Sequence, residues 1–328
     1  MDLTATPTTP YLSMVVPVYN EEESLGPLHE ALHAALEPLG RPWEVIYVDD
    51  GSKDRSYELL QGMAAADPRV KVIRFRKNFG QTAAMAAGFE HATGEVICPI
   101  DADLQNDPKD IVRMLAKMNE GYDVVAGWRE KRKDAFLTKT LPSRIANRII
   151  GRVTGVKLHD YGCTLKVCRA DVLHDVRLYG EMHRFLPVFA HLAGARITEM
   201  PVTHHPRRWG TSKYSLSKTF RVILDLITVW FLSAYATKPI YFFGRFAFYG
   251  FGAAGLAMAW TLWNRFVNHI YVKDQPLFQV GIFFGIAALQ FLLFGLLAEM
   301  NMRTYYESQR KPTYFVRERL NLPPQGKV

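Results

Sequence analysis

The sequence predicts an α/β domain on a mostly parallel sheet, followed by helices that meet and cross a membrane. Three observations carry that prediction. Short apolar runs of four to six residues alternate with amphipathic stretches of about a dozen as far as Ala126. Three of the runs end on acidic residues. Near the C-terminus, two segments of 18 and 21 residues contain no charged side chain.

In chain order, Ser13 to Val18 reads as a strand, and Glu21 to Leu39 as a helix because Leu25, Leu28, Leu32 and Leu36 recur at helical spacing. "WEVIYVDD" (43–50) is a second strand and Ser56 to Ala66 a second helix. Val70 to Phe75 and Glu95 to Ile100 are strands separated by a helix over Thr82 to His91. Pro108 to Asn119 closes the series as a helix leading to a strand at Asp123 to Ala126. In parallel sheets of this kind ligands sit at the carboxyl ends of the strands. That rule selects "PVYNEE", "VDDGSKD" and "IDADLQ".

Ser215 to Tyr241 is aromatic, apolar and lightly basic, interrupted by "TKP" at 237–239, which predicts helices lying in a membrane interface with Arg221, Asp225 and Lys238 on the wet side. An amphipathic core helix would carry the same pattern. Phe246–Trp263 and Phe278–Ala298 are each long enough to span about 30 Å of hydrocarbon. The loop between them holds only Arg265 and Lys273, whereas Arg303, Arg310, Lys311, Arg317 and Arg319 follow, so both termini are expected on the cytoplasmic side. The expected divisions are a catalytic-type domain over 1–214, juxtamembrane helices over 215–241, a transmembrane hairpin over 242–300 and a basic cytoplasmic tail over 301–328.

The net charge of +8 and pI near 9.3 point to anionic partners, without choosing between nucleic acid, acidic lipid and a phosphorylated substrate. The basic residues are dispersed and form no nucleic-acid recognition motif. Cys98, Cys163 and Cys168 are odd in number and lack metal-type spacing, which fits a reducing compartment. The N-terminus has no basic stretch before its apolar run, and that run is cut by Pro17, so the first domain is expected to stay in the cytoplasm. Two motif matches are discounted. "GFGAAG" (250–255) lies inside an apolar helix instead of after a strand, and "GIFFG" (281–285) is a GxxxG that arises easily in Gly-rich apolar sequence.

"PIDADLQNDP" (99–108) fails as a calcium loop, since Asn106 stands where glycine is needed and Val112 where glutamate is needed. Asp107 before Pro108 reads as a helix cap. On an extended segment, Asp101, Asp103 and Gln105 would face one way. Their hard oxygens suit Mg²⁺ or Mn²⁺ in an incomplete shell, although a solvated acidic turn has the same composition. In "VDDGSKD", Gly51 permits a tight turn and Ser52 or Asp54 can cap the next helix.

These stretches, with "RKNFGQTAAMAAGFEHATGEVICPIDADLQNDP", "VVAGWR" and "RFLPVFAHLAGARITEMPVTHHPRRWGTSKY", resemble in order and spacing the polyprenyl-phosphate glycosyltransferases of inverting glycosyltransferase family 2, the dolichyl-phosphate mannose synthase group in its bacterial two-span form. The resemblance implies a GT-A fold, a Rossmann-like nucleotide-diphosphosugar domain. It implies nucleotide contacts from Pro17, Tyr19, Glu21 and Asp49, and a metal and diphosphate site at Asp101, Asp103 and Gln105. Arg129 is expected to face both the diphosphate and the acceptor phosphate, and Arg207 and Lys213 to close over the donor. Lys139 and Ser143 fall near the lipid-phosphate contacts, and Asp160 matches a family aspartate of debated role. The implied partners are a UDP- or GDP-sugar, a polyprenyl phosphate, the bacterial inner membrane and copies of the same chain, as a tetramer.

The implied reaction is transfer with inversion. A phosphate monoester has its second pKa near about 6, so the acceptor is already nucleophilic and needs no general base. A processive polysaccharide synthase would carry QxxRW and more spans, whereas "HPRRW" has His205 in place of Gln. A non-catalytic nucleotide-sugar or lipid sensor would not need Asp101, Asp103, Arg129, Arg207 and Lys213 together.

Overall fold

The structure, a computed structural model, describes residues 9–130, 147–148, 150–152, 154–174, 182–206, 231, 239–308 and 314–322. The chain divides into two units, Met1–Trp230 with Pro312–Val328, and Phe231–Lys311.

Among the described residues the first unit is built on eight strands: β1 (Leu12–Val18), β2 (Trp43–Asp49), β3 (Val70–Phe75), β4 (Val96–Pro99), β5 (Val124–Trp128), β6 (Lys166–Arg169), β7 (Ile197–Pro201) and β8 (Val316–Leu320). They lie in the order β7-β5-β6-β4-β1-β2-β3-β8. Every residue of β2 is buried, which explains its apolar stretch Val45–Val48: helices cover both faces. On one face α1 (Leu25–Leu36), α2 (Ser56–Ala66) and α4 (Lys109–Met118) contribute Leu25, Leu28, Leu60 and Met114 to one apolar cluster with Val45, Tyr47 and Val125. On the other face α3 (Gln81–His91) sets Ala84 and Ala87 against Val15 and Ile46. Each fully buried leucine contributes roughly 1.5–3 kcal/mol. The approach of α3 is close. A Cβ on Gly88 would collide with Val15 Cγ1, so no side chain fits there, and the later half of α3 lies tight against the middle of β1.

The sheet is mixed, in contrast to the mostly parallel one the sequence predicts. β1 pairs in parallel with β2 and β4, β2 with β3, and β5 with β7, while β4/β6, β5/β6 and β3/β8 are antiparallel. The antiparallel pairs all involve β6 or β8, two short charged segments without an apolar run. β8 also alters the expected division of the chain. Residues 316–320 do not form part of a separate basic tail but join the first unit as the edge strand on β3. Two short helices, α5 (Ala170–His174) and α6 (Leu186–Leu192), complete the described part of this unit.

The second unit contains α7 (Pro239–Phe266) and α8 (Pro276–Ser308), both extending beyond the apolar segments read from sequence. Ile240–Phe266 has a mean hydropathy of 1.2 and Pro276–Ala298 of 2.3; each is long and apolar enough to cross a membrane, with only 17% of the most apolar window buried. Phe248, Leu256 and Phe283 are exposed, as lipid-facing side chains would be. Small residues form the seam between the helices. A Cβ on Gly250 would lie 2.8 Å from Ala288 Cβ, and one on Gly281 would lie 3.2 Å from Ala257 Cβ. Gly285 faces Ala254, so both glycines of the "GIFFG" match serve close helix approach. Of the juxtamembrane segment 215–241, only Phe231 and residues 239–241 are among those described.

Candidate active site

β4, β1 and β2 are neighbours in the sheet, so the three acidic stretches leave adjacent parallel strands at one edge. The first two loops are tied together. Asn20 N donates to Ser52 Oγ at 3.0 Å and Asn20 Oδ1 accepts from Lys53 N at 2.8 Å. Glu21 N donates to Ser56 Oγ at 2.9 Å, and Glu22 Oε2 accepts from Arg55 N at 3.1 Å. Much of "YNEEES" and "DGSKDRS" therefore serves to lock one loop to the other. Asn20 takes a left-handed backbone, φ 54°, which asparagine tolerates better than most residues.

A cleft of about 290 Å³ opens at this edge, lined by Pro17, Tyr19, Glu21, Asp50, Asp101 and Asp103 with part of the β3–α3 loop. Glu21 is oriented by Ser24, whose hydroxyl donates to Glu21 Oε2 at 2.8 Å. Asp101 accepts from Gln81 Nε2 at 2.7 Å on one oxygen and from Thr164 Oγ1 at 2.7 Å on the other. Burial, then the neighbouring charge of Asp103, push the Asp101 carboxyl up to about 6, against the opposing pull of the Thr164 bond, Arg129 and Lys166. The geometry of this motif differs from the extended one expected. β4 ends at Pro99, residues 102–104 form a turn, and Leu104 adopts φ 58°, a left-handed conformation costly for a leucine. That turn lets Asp103 Oδ1 accept from Gln105 N at 3.1 Å, and it places Asp101 and Asp103 on one cleft.

Asp49 is a correction to the sequence reading. As the last residue of β2 it shares a face with Val45 and Tyr47, and its side chain is wholly buried. There it accepts from Ser52 N at 2.9 Å and lies 3.5 Å from Arg74 Nε. Asp50, past the strand end, lines the cleft instead. Its carboxylate accepts from Phe79 N at 2.6 Å and Gly80 N at 2.9 Å, which fixes the β3–α3 loop. Burial raises the Asp50 carboxyl to about 6 despite those two bonds. Because the native state holds this proton more tightly than the unfolded chain does, the carboxyl weakens the fold as pH rises from about 4 to 6. Asp50→Asn loses one of the two loop bonds at every pH, because its amide nitrogen cannot accept, but we expect its stability relative to wild type to improve across that window by about 2–3 kcal/mol at most. Paired thermal melts at pH 4 and pH 7 measure the difference.

Arg129, just past β5, forms a two-pronged pair with Asp160: Nε to Oδ2 at 2.7 Å and Nη2 to Oδ1 at 3.0 Å. Asp160 is 4% exposed at its side chain and Arg129 16%. Burial alone would lower the guanidinium's pKa, but the Asp160 bonds more than reverse it. Two residues read separately from the sequence are thus paired in the structure. Gln81, Thr164 and Asp50 escaped the sequence reading. The adjacent acids of "VDDGS" are the only signal that could have pointed to Asp50.

Arg207, Lys213, Lys139 and Ser143 lie outside the described residues. The segment leading to Arg207 is placed, however. His205 N donates to Gln105 O at 2.8 Å, His204 bridges to Asn106, and His205 Nε2 lies 3.1 Å from Asp107 Oδ2.

The residues present fit a divalent cation that a donor diphosphate completes. Among the described residues no three His, Cys, Asp or Glu side chains converge on a metal position. Two adjacent carboxylates, one held near 6 partly by the other's charge, are the kind of donor set that Mg²⁺ or Mn²⁺ shares with substrate phosphates.

Comparison with known proteins agrees with this architecture. Residues 13–177 match the glycosyl transferase family 2 domain. Dodecaprenyl-phosphate galacturonate synthase of Rhizobium johnstonii is 45% identical over 94% of this chain and 92% of its own length. Undecaprenyl-phosphate 4-deoxy-4-formamido-L-arabinose transferase of Salmonella paratyphi A is 35% identical over 94% of this chain and 93% of its own. Among solved structures, glucosyl-3-phosphoglycerate synthase of Mycobacterium tuberculosis, bound to Mn²⁺, UDP and glucosyl-3-phosphoglycerate, superposes with a TM-score of 0.51 at 16% identity, covering 68% of this chain and 80% of that one. That likeness establishes the GT-A fold. With its acid-lined cleft at three neighbouring strand ends, the chain belongs to glycosyl transferase family 2 and is a glycosyltransferase.

Proposed function

We propose that this protein transfers a sugar from a nucleotide-diphosphosugar to a membrane polyprenyl phosphate, with inversion, at the cytoplasmic face of the bacterial inner membrane. One observation carries the reading. Glu21, Asp50, Asp101 and Asp103 line one cleft, and the Arg129 guanidinium, fixed by Asp160, lies near enough to Asp101 for its charge to act on that carboxylate. The named acceptors of the two relatives, dodecaprenyl and undecaprenyl phosphate, support the lipid class.

Asp101, Asp103 and Gln105 would hold Mg²⁺ or Mn²⁺, which when bound neutralises charge on the donor diphosphate. Pro17, Tyr19 and Glu21 line the nucleotide side of the cleft. Arg129 offers its remaining N–H groups to phosphate oxygens, and Asp160 keeps the guanidinium from swinging away. Arg207 and Lys213 would close over the diphosphate as its charge builds. With a phosphate dianion as nucleophile, no side chain has to remove a proton.

The topology supports a same-side arrangement of the chain before and after the two long helices. β7 and β8 lie in one sheet, on one side of any membrane, so the chain between Pro201 and Val316 crosses an even number of times. Among the described residues, two helices of the right length satisfy that condition. The test is transfer by the purified full-length protein to undecaprenyl phosphate, with Mg²⁺ or Mn²⁺ and a panel of UDP- and GDP-sugars headed by UDP-galacturonate. One donor should give lipid-linked sugar, and EDTA should abolish it. Full activity in chelator would refute the metal role; no product from any donor would refute the function.

A further inference from the structure

The C-terminal segment 314–322 does more than close the sheet edge. Tyr314 is buried, its ring stacked on Phe75 with centroids 5.0 Å apart, and its hydroxyl donates to Glu90 on α3. Phe315 O accepts from Arg76 N at 3.0 Å, and the Phe315 ring lies 6.0 Å from that of Phe79. Phe79 in turn packs edge-on to Phe75 at 5.6 Å. Asn321 Nδ2 donates to Ala64 O at 2.7 Å and to Val70 O at 2.8 Å, pinning the other end of the segment to the turn before β3.

These contacts bear on the loop between β3 and α3. Asn78, Gly80 and Gln81 of that loop form part of the cleft wall. Its inner side rests on Gly51, where a Cβ would lie 2.7 Å from Lys77 C and 2.9 Å from Asn78 N. Its amides at Phe79 and Gly80 bind Asp50, and Gln81 Nε2 binds Asp101. Phe315 and Tyr314 therefore sit outside a loop whose inner side meets two carboxylates of the cleft.

We propose that the C-terminal segment is a brace for the donor subsite. By packing on Phe75, Arg76 and Phe79 it holds the Arg76–Gln81 loop in the conformation that binds the nucleotide-sugar, so donor affinity depends on a strand supplied after the membrane hairpin. The inference rests on the donor site proposed above. Phe315 and Tyr314 are positioning residues, since neither lines the cleft.

Phe315 is 61% exposed, so Phe315→Ala leaves the sheet pairing intact and is the variant of choice. In the full-length protein it should raise the donor KM by about three- to tenfold, the range a lost aromatic contact implies, with kcat within twofold. Phe315→Tyr should restore the wild-type KM. Hydrogen exchange at Phe79 and Gly80 should quicken in Phe315→Ala while exchange in β1 and β2 stays unchanged. An unaltered donor KM with unaltered exchange at Phe79 and Gly80 would overturn the brace, and so would a fall in kcat at constant KM. If wild type uses no donor in the panel, the proposed function falls. The exchange profile, together with UDP and GDP affinities measured with Mn²⁺, then decides the brace separately, unaltered values again overturning it.

Discussion

Asp103→Asn should lower sugar transfer by about a hundredfold or more, the scale on which removing one preorganised charge-stabilising group slows a reaction. The substitution is selective. Asp103 is 8% exposed, and its Oδ1 accepts from Gln105 N in the turn where Leu104 is left-handed. An asparagine carbonyl can keep that bond, so the turn should persist and the melting temperature should change little. What is lost is the negative charge beside Asp101. The variant should therefore also lose any thermal stabilisation that Mn²⁺ with UDP gives the wild type, a readout that needs no turnover. Transfer within threefold of wild type would remove Asp103 from the donor site.

The second large effect is expected at Asp160. Replacing it by alanine strands a buried guanidinium and takes an acceptor from Gly162 N, 3.1 Å away. Breaking one side of a buried pair costs about 3–5 kcal/mol, which lowers the melting temperature of a domain this size by roughly 10 °C. Replacing both residues together, as Arg129→Met with Asp160→Leu, should recover much of that stability because no unpaired charge remains. Transfer should not recover in the double variant, since no guanidinium faces the phosphates. The pair of measurements separates what Asp160 does for the fold from what it does through Arg129. If the double variant transfers sugar normally, Arg129 has no part in the reaction.

Elements with a strong repeating pattern were legible from the residues alone. Ser56–Ala66 and Val70–Phe75 occur with the bounds read from sequence, because each has a clear apolar period and polar flanks. The first helix starts at Leu25 instead of Glu21, since residues 21–24 are used to tie the β1 loop to the β2 loop. β6, β7 and β8 were missed. β6 has four residues, one of them the buried Lys166, and β8 reads "VRERL", alternating charge on an exposed edge where no second face needs apolar cover. At the site, the sequence pointed to Asp101 and Asp103 as neighbours on one cleft, but through an extended segment where the structure has a turn, since an unusual backbone cannot be read from residue spacing. Asp49 was chosen over Asp50 because two adjacent acids carry no mark of which one the strand turns inward. The bond from Gln81 to Asp101 joins residues 20 apart and leaves no local pattern.

The place of β8 in the sheet has a consequence for biosynthesis. A ribosome makes β1 to β7 first, then both long apolar helices, and only afterwards the strand that covers the free side of β3. Until then the nascent domain presents an open row of amides and carbonyls at β3, the kind of surface that recruits stray strands. Slow closure by β8 should thus leave newly made chains prone to aggregation through β3, and the sheet can be completed only once both apolar helices have been made.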